Sequence, residues 1–334
     1  MTTDDTTIDE LLGAYALDAV EPAEAAAVEE YIERAPSAAS ELARLRNAAA
    51  AIGATEAFAP PPELLDSVLS AARTRRPAHT DDPFLAVYLS ETARYDALLD
   101  TVPADALDVL TDNGLTVHEL IIHLAAMESA VAAAIGRPTA PDMTDEDIER
   151  RTSAFVARFR GRPLREVRTL WRASVNELAQ WSQHASAGKR VHVFGLPFPR
   201  ESNLVSRAFE TWTHADDIRR ALGRQLSPPE PEVLHRMANL SVTTVPASLE
   251  MLERAHRGKT ARVVLTGPGG GDWLVPLGFS ETSEAPDVVV TTEVVGWCRV
   301  ASERLAPGAL ARHVEGDPAL ADDLLSASSA FATL

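Results

Sequence analysis

Cysteine is almost missing from this chain: Cys298 is the single one in 334 residues. No disulfide can close within the chain, and a reducing compartment fits. Cations are scarce too. Lys and Arg number 31 against 49 Asp and Glu, for a formal net charge of −18. That field repels a phosphate backbone, so direct binding to nucleic acid is not expected, although a basic protein partner remains compatible. No window approaches the roughly 18 uninterrupted apolar residues that span a bilayer. The longest candidate, NAAAAIGATEAFA, is short and Ala-rich. The opening MTTDDTTIDELL is acidic and has no basic stretch, so it does not read as a signal peptide. Gly-x-Ser-x-Gly and Cys-x-x-Cys elements are absent, and no Gly-Lys-Ser/Thr follows GPGGGDW, whose glycines read as a hairpin turn. The expectation is a soluble, cytoplasmic protein without a membrane partner.

What is present is the balance of a globular protein, 46% apolar and 24% charged residues, in a chain long enough for two or three domains. Helical spacing runs through IDELLGAYALDAV, AEAAAVEEYIERA and AASELARLRNAAAAIG, the last ending at Gly53. A Pro cluster, a short amphipathic helix and a polar tail follow over residues 56–82, a linker signature. Long helical patterns then fill residues 83–257, joined by short connections that suggest an antiparallel bundle. One start is well marked, with Thr116 as N-cap and Glu119 three residues on. After Gly258 the period changes. ARVVLTG and DWLVPLGF flank PGGG as a hairpin, DVVVTT is a third strand, and EVVGWCRVASERLA and DPALADDLLSASSAF read as helices. The expected fold is mainly α: a small helical module at residues 1–55, a four-helix bundle, and a small α+β domain at 258–334.

The chemistry concentrates in RAFETWTHADDIRRALG, residues 207–223. Glu210 and His214 are four apart and share one helical face. His123, on the apolar face of its own helix, is the best third group. Two imidazoles and one carboxylate make a three-ligand site with an open position, the arrangement of catalytic zinc. Asp217 can accept the other ring proton of His214 and fix its orientation. Alternatives stand beside this reading: Glu and His four apart often form a solvated pair, and a lone inward His is often a hydrogen-bonded core residue. His118 competes with His123, but its place in the first turn points it to solvent. His235 and His256 read as surface residues, and Cys298 as a buried, inert thiol.

LTVHELIIHLAAMESAV and FETWTHADDIRRALG, with the tail DVVVTT…ERLAPGALARHVEGDPALADDLL, resemble the mycothiol-dependent maleylpyruvate isomerase family, within the DinB-like metal-binding superfamily. The similarity covers about residues 83–334, and its tail is sterol-carrier-like. It implies metal ligands at His123, Glu210 and His214, an accompanying Asp217, and a Zn²⁺ or other divalent ion. It also implies a low-molecular-weight thiol, mycothiol, activated as thiolate by coordination. Such a thiolate adds to an electrophilic double bond for isomerisation, or stays attached in S-transfer. Arg304 falls near a Gly-Arg position of the family that would serve a substrate carboxylate catalytically. Here Glu303 replaces the Gly, and a solvent-facing helix-end Arg is the alternative.

The first helices, followed by PPPELLDSVLSAART, resemble the sigma-binding module of anti-sigma factors. The zinc-binding positions of that module fall on Tyr31, Ala35 and Ala38, so the resemblance is to the zinc-free, anti-sigma-K type. A packing or dimerisation arm is the plainer alternative. Together the two resemblances imply a soluble regulator on a metal-binding scaffold, binding an extracytoplasmic-function sigma factor through residues 1–80 and sensing a thiol or an electrophile. The alternative is a metal- and mycothiol-dependent isomerase or S-transferase.

Overall fold

The structure is a computed structural model that describes residues 8–55, 68, 80–140, 148–193 and 196–330. The chain divides into two compact units, Met1–Val68 and Leu69–Leu334. Most of the expected linker at 56–82, including its short helix, lies outside the described residues.

The described residues of the first unit include the helices α1 (Leu12–Ala16), α2 (Pro22–Arg34) and α3 (Pro36–Thr55), and residues 8–10 just before α1 are helical too. The first is shorter than the periodicity of IDELLGAYALDAV suggests, because Asp18 turns left-handed at φ 54. Asp tolerates that conformation better than most residues, and the chain then re-enters a helix at Pro22, whose fixed φ suits a first turn. Gly53 does not end α3, which runs through it to Thr55. The unit closes on an apolar cluster of Leu12, Val28, Tyr31, Ala38 and Leu42, with Ala35 packed against it. The three positions where a zinc-stapled module would carry ligands are therefore core contacts.

The second unit begins with α4 (Pro83–Leu99). Its start is fixed by the Asp82 carboxylate, which accepts from the Phe84 and Leu85 N–H groups at 2.9 and 3.1 Å. Next come α5 (Val117–Ala134), α6 (Ile148–Phe159) and α7 (Leu164–His184). The capping box at α5 forms as expected: Thr116 N–H donates to Glu119 at 3.0 Å and Glu119 N–H donates back to Thr116 Oγ1 at 3.2 Å. A short antiparallel hairpin, β1 (Arg190–Val193) and β2 (Leu196–Pro199), then leads into α8 (Arg200–Ala221). Helices α4, α5, α7 and α8 form a four-helix bundle, with α6 laid on α5. Its core includes Tyr95, Leu120, Ile121, Ile122, Trp171 and Ile218. Each such aliphatic side chain contributes about 1.5–3 kcal/mol by leaving water. By length and composition α5 is apolar enough to cross a membrane, yet 72% of it is buried inside the protein, as a core helix requires.

The remaining elements are α9 (Pro231–Met251), β3 (Thr260–Thr266), β4 (Gly271–Pro276), β5 (Val288–Glu293), α10 (Val294–Ala301), β6 (Arg312–Gly316) and α11 (Pro318–Ser329). The sheet order is β4-β3-β5-β6, with β3 and β5 parallel and both outer pairings antiparallel. The β3–β4 turn requires glycine: a Cβ on Gly270 would lie 2.0 Å from the Leu265 carbonyl oxygen. Helix α9 shares one core with this sheet, through Met237, Val242, Leu249, Val263, Val290 and Trp297. Cys298 is buried in it, and burial pushes its thiol pKa up.

Two strand features are absent from the sequence reading. β6 is RHVEG, an edge strand with Val314 as its one large apolar residue, so it carries no alternating signal. β1 and β2 are four residues each, below the length at which periodicity is legible. Helix α10 also ends earlier than expected, at Ala301. Glu303 takes φ 58 just beyond it.

Candidate metal centre

Helix α8 lies between two cores. Leu204, Ala215 and Ile218 face the bundle, while Val205, Ala208, Phe209 and Trp212 join the cluster around α9 and the sheet. A helix covered on both sides normally carries few polar groups. This one buries Arg207, Thr211, Thr213, His214, Asp216 and Asp217. Such groups are tolerated inside only when partnered, and the partners define a site.

One ligand-type atom each from His123, Glu210 and His214 lies within 4.8 Å of the others. His123 reaches in from α5, and the other two are one turn apart on α8. His123 Nε2 is 3.2 Å from Glu210 Oε1, and His214 Nε2 is 3.9 Å from the same oxygen. The two imidazoles meet edge to face, ring centroids 5.1 Å apart. His214 Nδ1 sits 3.0 Å from Asp217 Oδ2. The carboxylate accepts, so Nδ1 carries the proton and Nε2 keeps its lone pair on the side of Glu210. Glu210 and His214 are thus not a solvated pair but part of a convergent, largely buried trio with His123.

Electrostatics keep both imidazoles neutral. Burial chiefly, then the positive Arg207 and Arg304, lowers the His123 pKa to about 4. Burial does the same for His214, also to about 4, against the opposing pull of Asp217. Asp217 itself is held well below the usual carboxylate range by its bonds to His214 and Arg304, which outweigh burial. Two unprotonated imidazoles, a carboxylate oxygen and a tautomer fixed by an aspartate form a donor set that fits zinc or a similar borderline divalent ion.

Arg304 reaches the site from the loop after α10. Its Nε and Nη2 donate to the two oxygens of Asp217, each at 2.8 Å, and Nη1 donates to the Ser302 carbonyl at 2.8 Å. It therefore faces inward, not to solvent, and its fork is engaged on Asp217. The left-handed Glu303 makes this possible: the chain reverses there, with Arg304 and Leu305 N–H groups both donating to the Arg299 carbonyl. A left-handed turn is where glycine is favoured, so Glu303 stands at a position that glycine would suit.

His118 differs from its expected solvent-facing position: it is half-buried, and its Nε2 is enclosed without a hydrogen-bond partner among the described residues. His235 is exposed as expected, stacked on Trp273. His256 bonds Asp323 at 2.8 Å, a pairing across 67 residues that helical spacing does not reveal. Arg207, not among the residues expected at the site, also belongs to it: its Nη2 donates to Glu210 Oε2. The signal was there, since Arg207 and Glu210 stand three apart on the same helix.

Residues 88–219 match the family model described as the mycothiol maleylpyruvate isomerase N-terminal domain. That span contains His123, Glu210, His214 and Asp217. Two uncharacterised proteins of Mycobacterium tuberculosis, from different strains, are each 26% identical over 250 residues, covering 71% of this chain and 91% of theirs. Two solved structures, of mycothiol-dependent maleylpyruvate isomerase and of a histidine-to-alanine mutant, are each 19% identical with a TM-score of 0.48. Each alignment covers 69% of this chain and 91% of the other. These matches give no support to the sigma-binding reading of the first unit.

Proposed function

We propose that the second unit, whose bundle matches the mycothiol maleylpyruvate isomerase N-terminal domain, is a metal-dependent enzyme that uses a low-molecular-weight thiol as an isomerase or S-transferase. The observation that carries this reading is the convergence of His123, Glu210 and His214 from two helices. A divalent cation held there would lower the pKa of a coordinated thiol and so supply thiolate near neutral pH.

The chain's own groups prepare that site. The lowered pKa values leave His123 and His214 unprotonated at neutral pH, so neither has to shed a proton to act as a ligand. Asp217 fixes the tautomer and the ring plane of His214. Arg304 holds Asp217 from the α+β side, so docking of that layer and the geometry of the centre are linked. In this arrangement Arg304 is a positioning residue for Asp217; contact with a substrate carboxylate would fall to those N–H groups of Nη1 and Nη2 that are not already bonded.

The test is direct. Zinc-loaded protein plus mycothiol should accelerate the cis–trans isomerisation of maleylpyruvate or the thiol's addition to a small electrophile, and the His214→Ala variant should do neither. Equal rates for both proteins would overturn the assignment.

A second reading concerns the first unit alone. Its helices close on Tyr31, Ala35 and Ala38 without any metal ligand at those positions, as the zinc-free anti-sigma type implies. Residues 1–80 are proposed on that basis to bind a sigma factor, which makes the whole chain a regulator. Failure of this segment to retain any sigma factor of its own genome in a pull-down would remove the reading.

A further inference from the structure

Beneath the candidate metal centre lies a second buried polar layer that the reading above does not use. It is built from three helices. Tyr88 of α4 and Glu128 of α5 are each 0% exposed, and Arg207 of α8 is 7% exposed. The Tyr88 hydroxyl donates to Glu128 Oε2 at 2.7 Å. Arg207 Nη2 donates to Glu210 Oε2, the oxygen that does not face the imidazoles. The second terminal nitrogen of that guanidinium, Nη1, and the other oxygen of Glu128, Oε1, are enclosed without hydrogen-bond partners among the described residues. Burial raises the Glu128 pKa and lowers that of Arg207, and the opposite charge of each partly offsets that cost for the other.

A purely structural role explains this layer poorly. Three apolar side chains of similar volume would fill the space at lower cost than a buried, incompletely hydrogen-bonded charge pair. What the charged layer does, and an apolar one could not, is fix one oxygen of Glu210. A free carboxylate can swing, or can offer both oxygens to a cation. With Oε2 bonded to a buried planar donor, Oε1 is the oxygen presented to His123 and His214.

We propose that Arg207 is a positioning residue that holds Glu210 as a one-oxygen ligand and thereby keeps a coordination position free for the thiol, and that Glu128, held by Tyr88, is the counter-charge that allows Arg207 to be buried. This rests on the ligand assignment of the preceding section and extends it to residues outside the trio. The expected effect is of the size seen when groups that orient a metal ligand are lost, about 10–100-fold in metal affinity.

The test uses the full chain and cobalt as a spectroscopic substitute for zinc. Arg207→Met alone strands the Glu128 carboxylate, so it is paired with the double variant Arg207→Met/Glu128→Gln, which removes both charges. The wild type should bind one Co²⁺ with intense visible d–d bands, and His214→Ala should not. The double variant should melt near the wild-type temperature in its metal-free form, yet bind Zn²⁺ at least tenfold more weakly in chelator competition. Its Co²⁺ bands should be weaker, as the second carboxylate oxygen raises the coordination number. Arg207→Lys, which keeps the charge but loses the fork, should not restore the wild-type spectrum. Wild-type affinity and spectrum in the double variant would overturn the role of Arg207 and leave the ligand trio standing. Absence of stoichiometric metal from the wild type would instead overturn the trio itself.

Discussion

Replacing Asp217 with Asn alters one atom and tests how the centre is held. The two carboxylate oxygens accept from four donors. Oδ1 receives Arg304 Nε at 2.8 Å and Arg220 Nη1 at 3.2 Å. Oδ2 receives Arg304 Nη2 at 2.8 Å and His214 Nδ1 at 3.0 Å. An amide has one acceptor oxygen, so either orientation turns its NH₂ group against two of these donors. The carboxylate charge, which favours the Nδ1–H tautomer and hence the free Nε2 lone pair, is lost in both. Loss of such a partner typically weakens metal binding about 10–100-fold, which is about 1.4–2.7 kcal/mol. The metal-free protein should also lose stability, because two guanidinium groups lose their shared anion. Breaking a buried pair costs about 3–5 kcal/mol, and the partial exposure of Arg304 and Arg220 places this case at or below the lower end. The assay is zinc competition against a chromophoric chelator, at a temperature where circular dichroism shows both proteins folded. Affinity within twofold of wild type would refute the tautomer argument.

Further outcomes follow from particular residues. Glu91 is buried beside Arg94, Arg219 and Asp216, and burial raises its pKa to about 7. The folded state therefore holds this proton more tightly than the unfolded state does, so stability is lost as pH rises from about 4.5 through 7, by up to about 3 kcal/mol. Glu91→Gln should raise the melting temperature at pH 8 and leave it unchanged at pH 4; an equal shift at both would contradict the assignment. Glu303→Gly removes a left-handed non-glycine residue and should stabilise the fold by about 0.5–1 kcal/mol in urea unfolding, after the greater chain entropy of glycine is set against relief of strain. A destabilised variant would show that the Glu303 turn is not strained.

How much of this was legible beforehand follows from the physics of each signal. The helical frame is local, written in period and caps, and the capping box at Thr116 forms as its spacing implies. The grouping of His123, Glu210 and His214 could be read for a similar reason: i and i+4 share a face on any helix, and His123 stands on the apolar side of its own. Burial around α8 was not legible. Its polar content resembles a solvated surface, and only the packing of α9 and the sheet on its other side turns Arg207, Asp216 and Asp217 inward. Glu128 offered a clue, a carboxylate flanked by Met, Ser, Ala and Val in the apolar second half of its helix, which periodicity alone does not single out. The inward turn of Arg304 depends on a left-handed backbone at Glu303, a conformation that Glu does not advertise. β6 and the β1–β2 hairpin were hidden by shortness and by edge polarity.

In the proposed centre, two helices aim two imidazoles and one carboxylate oxygen at a single cation, with one position left for a thiol. Zinc-edge X-ray absorption on the loaded protein addresses it most directly. The spectrum should show two imidazole nitrogens and oxygen donors at about 2.0–2.2 Å, and, once mycothiol is added, one sulfur at about 2.3 Å replacing an oxygen. A spectrum with no imidazole scattering, or one that mycothiol leaves unchanged, would contradict it.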